Sequence, residues 1–296
     1  MVTAAQRERK HHTDPCSTLP TTMIQQRLHR LLEGHLDLRG TRLRYRLAGR
    51  GPVVLLLHGW ALDGTMWQPL QARLASRFRV LVVDRRGYGR TTGHPSIERE
   101  VADLRVLCRR LGLRDIAVIG MSQAARVALR LAGSRSLRTS CIVLDGPPGP
   151  TRGESDPTRE DPPITQYRRL VATQGLGAFR RIWRSHDLMR LHQAGRRTQR
   201  LLDRMLRNYP GRDLRVSSPT LSSARPLDLS RIRAAASVLC GAEDQPSRRQ
   251  QAEALAARLQ RGEHAVLPNS GHLTVLDAPL RYERTVTAFL RRHVRR

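Results

Sequence analysis

Ser122 stands in the string Gly120-Met121-Ser122-Gln123-Ala124, directly after an apolar run from Asp115 to Ile119 and before a small-residue stretch of helical character. A serine hydroxyl becomes a nucleophile when a neighbouring base takes its proton and a third group orients that base and stabilises its cation. A sharp strand-to-helix bend exposes such an oxygen, and small residues two before and two after the serine let the chain segments pass. Gly120 and Ala124 hold those places.

The acid and the base are sought at later strand ends, in the chain order serine, acid, histidine. Ser237-Val238-Leu239-Cys240 runs into Gly241-Ala242-Glu243-Asp244-Gln245-Pro246, where a turn glycine releases the chain and an acid projects from the loop. Asp244 is the expected acid and the adjacent Glu243 a weaker candidate. Asp145, at the end of the preceding strand, is a rival, because both strand ends face one crevice. Ala265-Val266-Leu267 runs into Pro268-Asn269-Ser270-Gly271-His272-Leu273, which makes His272 the expected base. Of eleven histidines, five follow Ser122. His264 precedes its strand, His186 and His192 fall in a helical insertion and His293 in the last helix, so surface roles are expected for the last three.

A tetrahedral intermediate also needs donors aimed at its oxyanion, usually two main-chain N–H groups. Gln123, the residue after the serine, is expected to supply one and Trp60 of His58-Gly59-Trp60 the other, with Gly59 permitting the turn after Val53–Leu57. Trp67 and the loop Asp84-Arg85-Arg86-Gly87-Tyr88-Gly89-Arg90 are expected to brace this entrance.

These side chains need a frame. Thr41 to Leu47 alternates with Leu43, Tyr45 and Leu47 on one side, the pattern of a half-buried antiparallel strand. Val53–Leu57, Val80–Val83, Ile116–Ile119, Cys141–Leu144 and Ser237–Cys240 are continuous apolar runs, as in parallel strands covered on both faces. Helical stretches separate them at Pro69–Ser76, Ser96–Leu111, Gln123–Ala132, Arg248–Gln260 and Leu280–His293. The reading is a doubly wound α/β fold with a mostly parallel sheet. Residues 1–34 read as a polar N-terminal extension with a short helix around Ile24–Leu32. Residues 35–146 form the first part of the core, 147–232 a helical lid insertion and 233–296 the second part. The insertion opens on prolines 147, 148, 150, 157, 162 and 163 and carries helical pieces at Gln166–Ala172, Leu176–Trp183 and Gln193–Arg207.

Lys and Arg number 53 against 25 Asp and Glu, a net charge of +28. Lys10 is the only lysine, so a GC-rich genome explains the arginine bias as readily as an anionic ligand does. The thirteen arginines from Arg168 to Arg215 read as a solvated helical face. Nucleic acid is an unfavoured partner despite the charge, and a small-molecule substrate is expected. The four cysteines contain no C-x-x-C pair and read as free thiols. No secretory signal or membrane anchor is apparent, and a cytoplasmic setting is expected.

With these strings assembled, residues 36 to 296 resemble the α/β-hydrolase fold superfamily. His58-Gly59-Trp60 with Asp63, Met66 and Trp67, followed by Asp84–Arg90, is similar to the serine esterase and perhydrolase branch related to the metal-free haloperoxidases. The resemblance implies a hydrolase without metal or organic cofactor, with Ser122, Asp244 and His272 as triad and Trp60 and Gln123 as oxyanion donors. The sequence departs from that pattern at Ala124, where the family usually has glycine, and in the Arg-rich insertion. Serine at position 122 disfavours haloalkane dehalogenase and epoxide hydrolase chemistry, which needs a carboxylate there. Carboxylic-ester hydrolysis through an acyl-enzyme is the leading expectation. Thioester, lactone and carbon-carbon bond hydrolysis, acyl transfer, perhydrolysis and a non-catalytic ligand-binding role are the alternatives.

Overall fold

The apolar runs become the inner strands of an eight-stranded sheet in a computed structural model that describes residues 31–149, 162–215 and 227–294. The strands are β1 Leu32–Leu38, β2 Thr41–Ala48, β3 Val53–Leu57, β4 Arg79–Val83, β5 Asp115–Met121, β6 Arg138–Asp145, β7 Ala235–Gly241 and β8 Gly262–Leu267. Their spatial order is β1-β2-β4-β3-β5-β6-β7-β8, antiparallel between β1, β2 and β4 and parallel from β4 to β8. β4 and β5 flank β3 on opposite sides, so the strand order reverses there and the loops after β3 and β5 open side by side, the usual position of a crevice.

Side chains leave a strand alternately. Val54 and Leu56 thus enter one buried layer, while Leu55 and Leu57 enter the other. Helices α1 (Gln68–Leu74) and α8 (Pro279–His293) cover the first face, and α2 (Ile97–Arg110), α3 (Ala125–Ala132) and α6 (Pro246–Arg258) the second. Ser96 starts α2 by accepting the Arg99 N–H, and Arg109 and Arg110 in its last turn suit the negative end of the helix dipole. Between β6 and β7 lie α4 (Ile164–Arg184), interrupted at Gly175 with φ 78°, and α5 (Arg196–Asn208), as the two expected pieces before Trp183 and the third after it suggest. The short α7 (Thr274–Asp277) follows β8.

Two expectations change. The half-buried alternation of β2 is absent, because Arg44 and Arg46 on its second side are buried as well. Arg44 pairs with Glu33 and Asp84 and Arg46 donates to the Gly64 carbonyl, so partners replace water. Residues 32–34 of the expected extension belong to β1, and Leu32 opens that strand where a helix was expected. Leu31 is exposed and not helical, and residues 24–30 of that helix, Cys16 and prolines 150 and 157 lie outside the described residues. Among the described residues no helix is long and apolar enough to cross a membrane.

Candidate active site

β5 delivers Ser122 at its C-terminal end, where the chain turns through Ser122–Ala124 into α3. Ser122 has φ 52°, the strained left-handed conformation expected of the bend. A Cβ at Gly120 would stand 2.7 Å from the Ala124 carbonyl oxygen, which explains the glycine. Ala124 is fully buried, so its methyl is accommodated where glycine was the family expectation.

The histidine loop closes on this serine. His272 Nε2 lies 3.0 Å from Ser122 Oγ, and its Nδ1 lies 2.8 Å from Asp244 Oδ2. Asp244 Oδ1 accepts the Gln245 N–H at 2.8 Å. Burial alone would raise the Asp244 pKa, but His272, the Gln245 N–H and Arg248 outweigh it and hold the carboxyl below its usual value. An ionised Asp244 accepts from Nδ1–H, which leaves the Nε2 lone pair facing the serine. Glu243 is exposed. Asp145 turns elsewhere: its Oδ2 accepts the Thr274 hydroxyl at 2.5 Å. Burial pushes its pKa up to about 7, against the Thr274 bond and assisted by the charge of Asp244.

Two residues that sequence reasoning passed over shape the histidine loop. Gly146 has φ 53°, and a Cβ there would stand 2.8 Å from His272 Cε1 and 2.9 Å from Nδ1. Asp277 Oδ2 accepts the Gly271 N–H at 2.9 Å, while Oδ1 accepts the N–H groups of His192 and Gln193 at 2.7 and 3.2 Å. The carboxylate thereby joins the loop before α5 to the loop of His272. His192, expected at the surface, packs its ring where a Cβ of Gly271 would be, 2.8 Å away.

The loop after β3 is braced from behind. His58 Nδ1 donates to the Gly59 carbonyl at 2.9 Å and Nε2 accepts the Arg85 N–H at 2.9 Å, which fixes the neutral tautomer. Burial first, then the Arg85 charge, pull its pKa down to about 3. The Arg85 guanidinium donates to the His58 carbonyl and pairs with Glu100 at 2.6 and 2.9 Å. Asp84 accepts the N–H groups of Gly64 and Arg90. The expected bracing loop thus does brace. Among the described residues, neither the Trp60 N–H nor the Gln123 N–H has a main-chain partner outside regular elements. Among the described residues, the non-glycine residues with positive φ are Ala61 (58°), Ser122 and Asn269 (58°), in the loops that bring Trp60, Ser122 and His272.

Trp60 meets an aromatic wall from the helical segment. Its ring lies 4.8 Å from Trp183, 5.6 Å from Phe179 and 6.2 Å from both Tyr167 and Tyr209. The arginines there divide into two groups. Arg180 donates to the Tyr209 carbonyl and Arg184 pairs with Asp203, whereas Arg196, Arg197, Arg200, Arg204 and Arg207 of α5 are exposed. Cys108, Cys141 and Cys240 are free and buried, with burial raising their thiols to about 12, 12 and 11. Among the described residues no group of three or more His, Cys, Asp or Glu side chains is arranged for a metal ion.

Comparison with known proteins agrees with this architecture. The chain is 29% identical over 192 residues to a pimeloyl-[acyl-carrier protein] methyl ester esterase of Stenotrophomonas maltophilia, covering 59% of this chain and 72% of that one. It is 34% identical over 126 residues to a non-heme haloperoxidase of Rhodococcus erythropolis, covering 40% and 46%. Against uncharacterised mycobacterial proteins the match spans only 28% of their length. A thermophilic esterase from Thermogutta terrifontis superposes with a TM-score of 0.71 at 24% identity, covering 89% of this chain and 98% of that one, a likeness of fold. The sequence profile described as the alpha/beta hydrolase family matches residues 54–285. Most of the chain, from β3 into α8, is thus accounted for, and it belongs to the alpha/beta hydrolase family.

Proposed function

We propose that this chain hydrolyses small carboxylic esters through an acyl-enzyme, with Ser122 as nucleophile, His272 as general base and Asp244 as the group that orients it. The supporting observation is the relay Asp244–His272–Ser122, with contacts of 2.8 and 3.0 Å, ending on a serine at φ 52°. His272 takes the Ser122 proton as Oγ attacks the ester carbonyl, then returns it to the leaving alcohol. The negative oxygen of the tetrahedral species is held by the N–H groups of Trp60 and Gln123, each worth about 3 kcal/mol in the transition state. Water then enters; His272 takes its proton as the water oxygen adds to the acyl carbonyl, and returns that proton to Ser122 Oγ as the bond from Oγ to the acyl carbon breaks and the acid departs. The segment from 162 to 215 acts as a lid whose aromatic wall excludes water from the acyl side. The esterase among the curated relatives supports this reading over the other chemistries open to a serine triad.

A fluorophosphonate probe is expected to label the protein, and 4-nitrophenyl butyrate to be turned over. Ser122→Ala should abolish both. Labelling that survives this substitution refutes Ser122 as nucleophile.

A further inference from the structure

Asp213 takes no part in the steps above, yet its carboxylate is buried against the side chain of Trp60. Its Oδ2 accepts the indole Nε1–H of Trp60 at 2.5 Å, and its Oδ1 accepts the Tyr209 hydroxyl at 2.5 Å. The Tyr88 hydroxyl stands 3.4 Å from Oδ2 and 3.4 Å from Gln123 Oε1, so one buried cluster touches the side chains of both proposed oxyanion donors. The segment bearing Asp213 is itself tied down. Arg168 donates to the Asp213 carbonyl at 3.3 Å, and Arg212 donates to the carbonyls of Gly87 and Thr91 at 3.1 and 3.0 Å.

An indole N–H donates and never accepts, so the Trp60 bond requires an acceptor at this point. Ala61, the next residue, has φ 58° although it is not glycine. Such a conformation persists only where the surroundings over-determine it. Gly59 packs against the Met121 sulfur and then Ser122, which leaves the Trp60 side chain as the handle by which the outer side of the turn is gripped.

We propose that Asp213 is a positioning residue for the oxyanion loop: by holding the Trp60 indole it sets the direction of the Trp60 main-chain N–H. Residues 162–215 then help to complete the oxyanion site as well as covering it. This rests on the ester-hydrolase reading, and the experiment separates the two.

The test uses the full chain, 4-nitrophenyl butyrate, and fluorophosphonate titration of reactive serines, so that kcat is counted per competent site. Asp213→Leu is expected to lower that kcat about 10- to 100-fold, short of or equal to the loss of one donor, with KM changed less than about twofold. Inhibition by phenylboronic acid, whose tetrahedral adduct needs the same donors, should weaken by a similar factor. Asp213→Asn should restore kcat to within about threefold, because its amide oxygen accepts from the indole and its N–H₂ donates to Tyr209. Trp60→Phe keeps the main-chain N–H but loses the tether, and should match Asp213→Leu. The double variant should be no slower than the worse single one, since one restraint is removed only once.

An unchanged kcat per site in Asp213→Leu, or losses that multiply in the double variant, overturn the proposal. If Asp213→Leu yields no titratable serine, Trp60→Phe and Asp213→Asn decide: Trp60→Phe at full activity, or Asp213→Asn as slow as Trp60→Phe, overturns it. A wild-type protein that neither labels at Ser122 nor turns over the ester refutes the hydrolase reading itself.

Discussion

Asp145→Asn isolates a charge that the fold keeps protonated. Burial raises the Asp145 pKa from 3.8 to about 7, a shift of about 3 pH units, and each unit corresponds to about 1.4 kcal/mol. Between roughly pH 4 and 7 the unfolded chain releases this proton while the folded one retains it. Stability from this group is therefore complete below pH 4 and is lost as pH rises through 7, by at most ~4 kcal/mol. Asparagine never ionises, and its oxygen can still accept the Thr274 hydroxyl that Asp145 Oδ2 accepts. Urea unfolding of both proteins at pH 5 and pH 8 cancels the groups they share. The substitution should confer an advantage at pH 8 that shrinks by roughly 2 kcal/mol or more at pH 5. A stability difference that is the same at both pH values refutes a buried, proton-holding Asp145.

The same substitution should leave ester turnover within a few-fold. Asp244→Asn should reduce kcat by about 10⁴, because its amide N–H₂ donates to Nδ1 and favours the tautomer with a proton on Nε2. Ranking the two variants by kcat identifies the acid, and the reverse order would assign it to Asp145. Gly146→Ala places a methyl 2.8 Å from His272 Cε1 at φ 53°, so kcat/KM should fall about 100-fold while the protein stays folded by circular dichroism. Full activity in that variant would show that the imidazole has room to move.

Much of the frame is legible in the sequence because parallel strands covered on both faces leave continuous apolar runs, and Val53–Leu57 begins and ends at the residues the run suggests. Ser122 and Asp244 are legible for a related reason, since each follows such a run within a few residues, and His272 follows the short apolar end of the edge strand β8; strand ends are where the fold collects side chains. Choosing between Asp244 and Asp145 requires knowing which way His272 faces, a through-space fact carried by no local pattern. β1 is hidden because Leu32–Leu38 mixes Glu33, Gly34, His35 and Asp37 with its leucines, and its place is set by pairing with β2. Asp213 and Asp277 are hidden more deeply. Trp60 and His192, the partners that tie them to other loops, lie 153 and 85 positions away, and nothing around either residue distinguishes it from a turn-forming aspartate. The buried Arg85–Glu100 pair is likewise invisible, since charged residues in sequence read as solvent-facing.

The chain has 3 Trp, 5 Tyr and 3 Phe, eleven rings in nearly three hundred residues. Trp60, Tyr88, Tyr167, Phe179, Trp183 and Tyr209 form one connected cluster, and two of the three indoles, Trp60 and Trp183, meet edge to face across the seam between sheet and helical segment. Trp67 packs instead against Tyr282. Ultraviolet emission from this protein is therefore a local signal. With Trp67 replaced by phenylalanine, the remaining tryptophan emission would come from a single indole pair, so any displacement of the helical segment from the sheet would register in that emission with no added dye.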